Sequence, residues 1–292
     1  MIPAAFDYLR AESLSQAIEL LAANPDGAKL VAGGHTLIPT LKLRLASPAL
    51  LIDISRIAAL KGIEIGEHIR IGALTTHAEL LASKPLREAI PLFHQAAGLV
   101  SDPQVRNRGT IGGSLANADP AADWPAVVIA LNATIETTGP EGVRQIAAKD
   151  FFVDIMTTAL RVDEVLTAIH VARSAPGTQF VYRKIRHPAS GYAVVGVAIA
   201  LRITAGTVRE ISIGVTGATG FAFPAQAAAN YLAGKPLSPE NIDAAARMAS
   251  ENIDCLGDQY APAEYRRHLV RTEVSRALSE LGNSPRVSTQ KG

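Results

Sequence analysis

RNRGTIGGSLANADPAADW, residues 106–124, sets a double glycine, Gly112 and Gly113, between the hydroxyl residues Thr110 and Ser114, and follows it with two carboxylates, Asp119 and Asp123. The segment carries almost no bulky side chains before Trp124. Glycine lacks a Cβ, so successive N–H groups of such a loop can turn toward one anion, and a helix starting nearby would add its positive end. A phosphate or diphosphate is the expected guest. A paired glycine also marks ordinary tight turns that bind nothing, and this segment alone does not separate the two readings.

A second loop of the same kind lies earlier in the chain. Residues 30–39, LVAGGHTLIP, again place two glycines, Gly33 and Gly34, after an apolar run and before polar groups. Two such loops suit the two phosphates of a dinucleotide. Gly33 and Gly34 are assigned to the diphosphate with the main-chain N–H groups of His35, Thr36 and Leu37. The hydroxyls of Thr36, Thr110 and Ser114 are expected to donate to phosphate oxygens at about 1 kcal/mol net each, with turn capping as the alternative for any one of them. Neither loop is the GxGxxG of a dinucleotide-binding βαβ unit or a P-loop ending in GK[ST], and GxSxG is absent.

At 292 residues the chain has room for two or more modest domains. A net charge of +1 and 48% apolar residues argue against nucleic acid and against disorder. The longest apolar run, residues 192–201, is far shorter than the roughly 20 residues that cross a bilayer, and no secretory signal opens the chain, so a cytoplasmic protein is expected. A single cysteine, Cys255, excludes an internal disulfide and any four-cysteine cluster built by this chain alone. The histidines show no metal-ligand spacing.

Taken in order, residues 6–9 read as a strand, and Ser13 with Gln16 as a capping box opening a helix. Residues 29–32 and 49–54 read as buried strands. A hairpin is expected over 63–74, then a helix behind the capping box of Thr76 and Glu79, with short helices set off by Pro85 and Pro91. Residues 124–131 read as a buried helix with Pro125 in its first turn, 133–137 and 143–147 as paired strands, and 164–171 as a further strand. After the linker-like ARSAPGTQ, three strand-like runs, 180–185, 192–203 and 208–215, should form an antiparallel sheet, followed by helices over 224–232, 239–252 and 263–281.

The pair AGGHTLIP and TIGGSLANADPAAD, together with IPAAFDYLRAESLSQAIELL, LLIDIS, IRIGALTTHAEL and APAEYRRHLVRTEVSRAL, resembles the FAD-binding medium-subunit family of the molybdenum hydroxylases, which takes in aerobic carbon monoxide dehydrogenase medium subunits and xanthine dehydrogenase FAD subunits. The resemblance spans nearly the whole chain. It implies an α+β fold: a two-subdomain FAD-binding domain of the vanillyl-alcohol oxidase / p-cresol methylhydroxylase type over residues 1–175, divided near 57/58, then a C-terminal domain over 176–282 with a three-stranded antiparallel sheet and helices, then a polar tail, 283–292, expected to be disordered. It also implies FAD contacts along Val31, Ala32, Gly33, Gly34, His35 through its backbone, Thr36 and Leu37, and along Thr110, Gly112, Gly113 and Ser114.

By the same resemblance Asp123 accepts hydrogen bonds from sugar-chain hydroxyls of the cofactor, Leu166 meets the isoalloxazine, and Lys184 sits near the carbonyl end of the ring. Asp119 is divided between the cofactor and a local cap before Pro120. Tyr192 is divided between covering the flavin and half-filling a core. Arg183, Arg186 and His187 make a basic cluster that reads as a solvated face. A molybdopterin-containing large subunit and a [2Fe–2S] small subunit are implied as partners, assembled as a dimer of heterotrimers, with an external electron acceptor. A self-sufficient flavin oxidase or reductase and a redox-inactive nucleotide-binding scaffold remain the alternatives. Valine at Gly112 is expected to exclude a phosphate oxygen while leaving the fold intact.

Overall fold

The computed structural model describes residues 2–283 and builds three larger sheets in chain order and one two-stranded hairpin; the tail expected over 283–292 lies, beyond Asn283, outside the described residues. The first sheet comes from β1 (Asp7–Arg10), α1 (Leu14–Ala23), β2 (Ala28–Val31), α2 (Leu37–Lys42) and β3 (Leu50–Asp53). Its strands run parallel in the order β1-β3-β2, because a helix crosses over between successive strands. Ser13 caps α1 by accepting from the Gln16 amide. The return half of the expected capping box is displaced: the Gln16 side chain takes the Glu12 amide and not that of Ser13. Ala17, Ile18 and Leu21, at helical spacing, bury against Leu50 and Ile52 of the strand between.

The second sheet is antiparallel in the order β4-β5-β10-β6-β7, from β4 (Ile63–Ile65), β5 (His68–Gly72), β6 (Thr134–Gly139), β7 (Gly142–Ala147) and β10 (Val165–Ala172). Between β5 and β6 run α3 (His77–Ala82), α4 (Lys84–Ala89), α5 (Pro91–Leu99), α6 (Pro103–Arg106), α7 (Ile111–Asn117) and α8 (Trp124–Ala130); α9 (Ala148–Phe151) and the hairpin of β8 (Phe152–Asp154) and β9 (Thr157–Thr158) precede β10. Thr76 and Glu79 form both halves of their capping box. The helices cover one face of this sheet with Phe93, Trp124 and Phe151 at the centre of the core. The run Trp124–Ala130 is buried on all sides.

The third sheet, β11 (Thr178–Arg186), β12 (Ala193–Thr204), β13 (Thr207–Thr216) and β14 (Phe223–Pro224), is antiparallel in chain order. It has one strand more than expected. Phe223 and Pro224 pair with Val215 and Gly214, so α10 begins two residues later than Pro224, at Gln226 (Gln226–Leu232). With α11 (Pro239–Ser250) and α12 (Ala263–Asn283) it encloses a separate apolar core. The third sheet is sewn to the segment after α7. The Ala193 amide donates to Ala121 C=O at 3.0 Å and the Gly217 amide to Pro120 C=O at 2.7 Å. The Thr216 hydroxyl lies 2.8 Å from the carbonyls of both Pro120 and Ala122. The second half of the quoted segment is thereby held by main-chain bonds from β12 and β13.

Candidate FAD site

β2 delivers the first turn to the end of the parallel sheet, and its two glycines answer different demands. Gly34 has φ 75°, a left-handed conformation that costs glycine little. Gly33 is needed for space: a Cβ there would stand 1.9 Å from the Arg108 carbonyl oxygen and 3.2 Å from Gly109 Cα. The two glycine segments, far apart in sequence, therefore meet backbone to backbone. None of the N–H groups from Gly33 to Leu37 donates to any described residue, whereas the carbonyls of Gly34 and Thr36 accept from Ile38 and Thr40 to start α2. Thr36 caps that helix without using its hydroxyl. A run of free amides on a half-exposed turn is a donor set for an anion.

The second segment differs from the expected loop. Residues Ile111–Asn117 form helix α7, whose amides are spent inside the protein: Ile111 donates to Thr75 C=O at 3.0 Å, Gly112 to Ala73 C=O at 2.8 Å, and Gly113 to the Thr110 hydroxyl at 3.1 Å. Thr110 is the N-cap of α7, and its side chain serves the helix. Gly112 is a packing glycine, because a Cβ would come to 2.5 Å from Ala73 Cβ and 2.7 Å from its carbonyl oxygen. The expectation that valine at Gly112 spares the fold is therefore overturned. Gly113 and Ser114 face outward, and the Ser114 hydroxyl has no partner among the described residues. The free donors sit in the first turn, and the second segment backs it.

Asp123 and Lys184, each assigned to the cofactor, bond to one another in the interior. Lys184 Nζ donates to Asp123 Oδ2 at 2.9 Å and to Leu99 C=O at 3.1 Å, while the Tyr182 hydroxyl donates to Asp123 Oδ1 at 2.5 Å. The Lys184 side chain is 1% exposed. Burial pushes the Asp123 carboxyl up and the Lys184 ammonium down, and their mutual attraction opposes both shifts. This pair ties α5 and the start of α8 to β11. Leu166 is likewise inside, 5% exposed on β10 within the central core. Of the basic cluster, Arg183 pairs with Glu273 and Glu280, Arg186 donates to the carbonyls of Leu99 and Ser101, and the His187 ring stacks edge-on against Tyr260.

Two further residues frame the open side of the first turn. Asp119 accepts from the Ala121 amide at 2.8 Å, the local cap, and burial raises its carboxyl. Tyr192, 42% exposed just before β12, has its phenol raised by burial and by the carboxylates of Asp119 and Asp123, while the Thr36 hydroxyl acts on it in the opposite sense. Those interactions bring the first turn, the second segment and the C-terminal half to one place. A residue the sequence did not point to lies beneath it. His77, 5% exposed, accepts the indole N–H of Trp124 at Nδ1 at 3.1 Å. Burial first, then Arg106 and His35, push its imidazole down to about 4, so the ring is neutral near pH 7. Its partner is 47 residues away, and neither residue has a spacing that announces the pair.

The donor set fits the diphosphate of FAD: unspent main-chain amides, no carboxylate within the turn, and a half-exposed tyrosine beside it. Among the described residues no group of three or more His, Cys, Asp or Glu side chains could hold a metal ion, and no helix is long and apolar enough to cross a membrane. Comparison with known proteins agrees with the geometry. Residues 4–173 match the FAD binding domain in molybdopterin dehydrogenase, and residues 180–281 the CO dehydrogenase flavoprotein C-terminal domain. The carbon monoxide dehydrogenase medium chain of Hydrogenophaga pseudoflava is 39% identical over 96% of this chain and 98% of its own. The glyceraldehyde dehydrogenase medium chain of Sulfolobus acidocaldarius is 36% identical over 96% of this chain and 100% of its own. A solved carbon monoxide dehydrogenase from H. pseudoflava, lacking the Mo-pyranopterin moiety, superposes with a TM-score of 0.93 at 40% identity, covering 96% of this chain and 98% of that one. The chain belongs to the FAD-binding medium-chain family of the molybdenum-containing dehydrogenases.

Proposed function

We propose that this chain is the electron-transferring FAD subunit of a multi-subunit molybdenum hydroxylase, receiving electrons from a [2Fe–2S] small subunit and passing them to an external acceptor. The large partner holds the molybdopterin and oxidises the substrate. The observation that carries the reading is the turn of free amides from Gly33 to Leu37, packed directly on Arg108 and Gly109. FAD, when bound, supplies a carrier that can accept electrons singly and release them in pairs.

The chain's own residues bind, orient and enclose. The first-turn amides, with the Thr36 and Ser114 hydroxyls, hold the diphosphate, and Val31 and Ala32 support them from the sheet. Asp119 and Tyr192 flank the opening toward the sugar chain and ring. The Asp123–Lys184 pair fixes the position of residues 176–282 over residues 1–57 and 58–175, the two parts of the cofactor-binding half, and Leu166 keeps the strand between them in place. Cys255, the only cysteine, is buried, so the iron–sulfur groups belong to another polypeptide. Medium chains of a carbon monoxide and a glyceraldehyde dehydrogenase resemble this one about equally, at 39% and 36% identity. Choice of substrate therefore rests with the large partner. The assembly in this reading is a dimer of heterotrimers in the cytoplasm.

The test is reconstitution. Apoprotein loaded with FAD should show no turnover of carbon monoxide, purines or aldehydes alone, and its flavin should bleach when a reduced cysteine-rich small subunit recovered from the native cell is added. Turnover by the isolated chain, or a flavin that the reduced partner leaves coloured, would overturn the assignment.

A further inference from the structure

The turn between β11 and β12 closes on itself beside the cofactor opening. The His187 amide donates to Tyr192 C=O and the Gly191 amide to His187 C=O, each at 2.8 Å, with Gly191 at φ 72°. The amides of Ala189 and Ser190 both donate to His187 Nδ1, at 3.3 Å. An amide N–H cannot accept, so the neutral ring carries its own proton on Nε2, a donor with no partner among the described residues. Facing this turn is the loop between α11 and α12, where Tyr260 stands 48% exposed with its ring centroid 4.6 Å from that of His187. Buried Arg266 pins the two together: it donates to the carbonyls of Val194 and Gly217 at 2.6 Å and to the Asp258 carboxylate. His187, Asp258, Gln259 and Tyr260 line a cavity of about 550 Å³ between them, within the roughly 300–1,000 Å³ of sites that take one small molecule.

The lining decides what class of molecule fits. Tyr260 offers a half-exposed aromatic face for stacking, and the His187 imidazole and the Gln259 amide offer donors to carbonyl oxygens. No cation lines the cavity. The Arg186 guanidinium is turned to the carbonyls of Leu99 and Ser101, and Arg266 is spent on main-chain carbonyls and on Asp258. Asp258 is itself an anion near pH 7, because the Ala261 amide first, then the Tyr260 amide and Arg266, hold its carboxyl below the usual aspartate range. A phosphate brought here would meet a carboxylate and no counter-charge. We propose that this cavity is the seat of the external electron acceptor, and that it takes a planar, uncharged ring bearing carbonyl oxygens, of the quinone class, in preference to a nicotinamide dinucleotide. This inference rests on the reading of the chain as an FAD-carrying electron-transfer subunit. Tyr192, bonded through its carbonyl to the His187 amide, sets the seat next to the opening over the first turn. The two carbonyl oxygens of the quinone become hydroxyls with the two electrons and two protons that a reduced flavin releases, so the exchange needs no other reactant.

The test uses the oxidised, FAD-loaded full-length chain. Calorimetry with a water-soluble, fully substituted benzoquinone should show one saturable site, and NAD⁺ should show none. Tyr260→Ala, at an exposed side chain, should weaken that site by about 3- to 10-fold, as expected for one aromatic stacking contact, and Tyr260→Phe, which keeps the ring, should restore it. In stopped flow with photoreduced flavin, Tyr260→Ala should raise the quinone concentration for half-maximal reoxidation by the same factor and leave the limiting rate unchanged. Reoxidation by ferricyanide, which needs no stacked seat, should not respond to the substitution. A missing quinone site, a Tyr260→Ala variant that binds as wild type does, ferricyanide slowed equally, or flavin reoxidised by NAD⁺ and not by the quinone would each overturn the proposal. Failure of the chain to retain FAD would instead refute the electron-transfer reading, and calorimetry on the flavin-free chain would still decide whether the seat exists.

Discussion

Gly33→Ala puts one methyl group where the two glycine segments touch. The added carbon would stand 1.9 Å from the Arg108 carbonyl oxygen and 2.7 Å from its carbonyl carbon, where real contacts stay beyond 3.0 Å, so one backbone must retreat by more than 1 Å. Neither obstacle is a flexible side chain that can swing away. Overpacking of this sort costs about 1–3 kcal/mol of stability. The retreat also displaces the amides that converge on the diphosphate, and losing two amide–phosphate bonds at about 1.5 kcal/mol each weakens FAD binding by at least about 100-fold. The assay is the flavin-to-protein absorbance ratio after gel filtration, with the FAD Kd from fluorescence quenching and the Tm of the apoprotein. Gly66→Ala is the control, because the nearest atom to its added Cβ is the His68 oxygen at 3.7 Å. The variant should elute nearly colourless with a lowered Tm, and the control should be unchanged. Stoichiometric flavin at wild-type affinity in Gly33→Ala would refute the reasoning.

Gly112→Val should damage the fold as well as the site, since the side chain enters the Ala73 backbone; a Tm loss in the apoprotein, absent from Gly66→Ala, checks this. Lys184→Met leaves the buried Asp123 without its counter-ion and should cost about 3 kcal/mol in denaturant melts, much of it recovered when Asp123→Asn is added. Glu164→Gln tests the entry to β10. Burial alone would raise this carboxyl, but bonds from both Arg144 nitrogens and the Arg161 amide hold it below the usual glutamate range. A depressed folded pKa means the stabilisation is complete above the unfolded value and is lost as pH falls through the folded one. The variant should therefore be about 1–3 kcal/mol less stable than wild type at neutral pH, with the gap closing in acid.

The first turn was legible because its signal is local: an apolar strand, two glycines and polar residues in one short run. Most strands and the Thr76 and Ser13 caps were legible for the same reason. The second glycine pair misled, because glycine's low helix propensity argues for a loop. What makes α7 a helix is the close approach of Gly112 to Ala73, a tertiary contact that no window of sequence contains. Asp123 and Lys184 were each read toward the cofactor, and their mutual contact was not legible. Each is the other's neighbour across 61 positions, which only the folded chain shows. His77 was passed over because a lone histidine at the start of a short helix carries no spacing signal until Trp124 comes to rest against it.

A crystal structure of the chain loaded with FAD bears most directly on where the diphosphate is held. Its phosphate oxygens should lie within about 2.7–3.2 Å of at least two main-chain nitrogens between Gly33 and Leu37, with α7 supporting that turn from behind. A diphosphate seated on the Gly112–Gly113 pair, or anywhere that leaves the first-turn amides bonded to water, would contradict it.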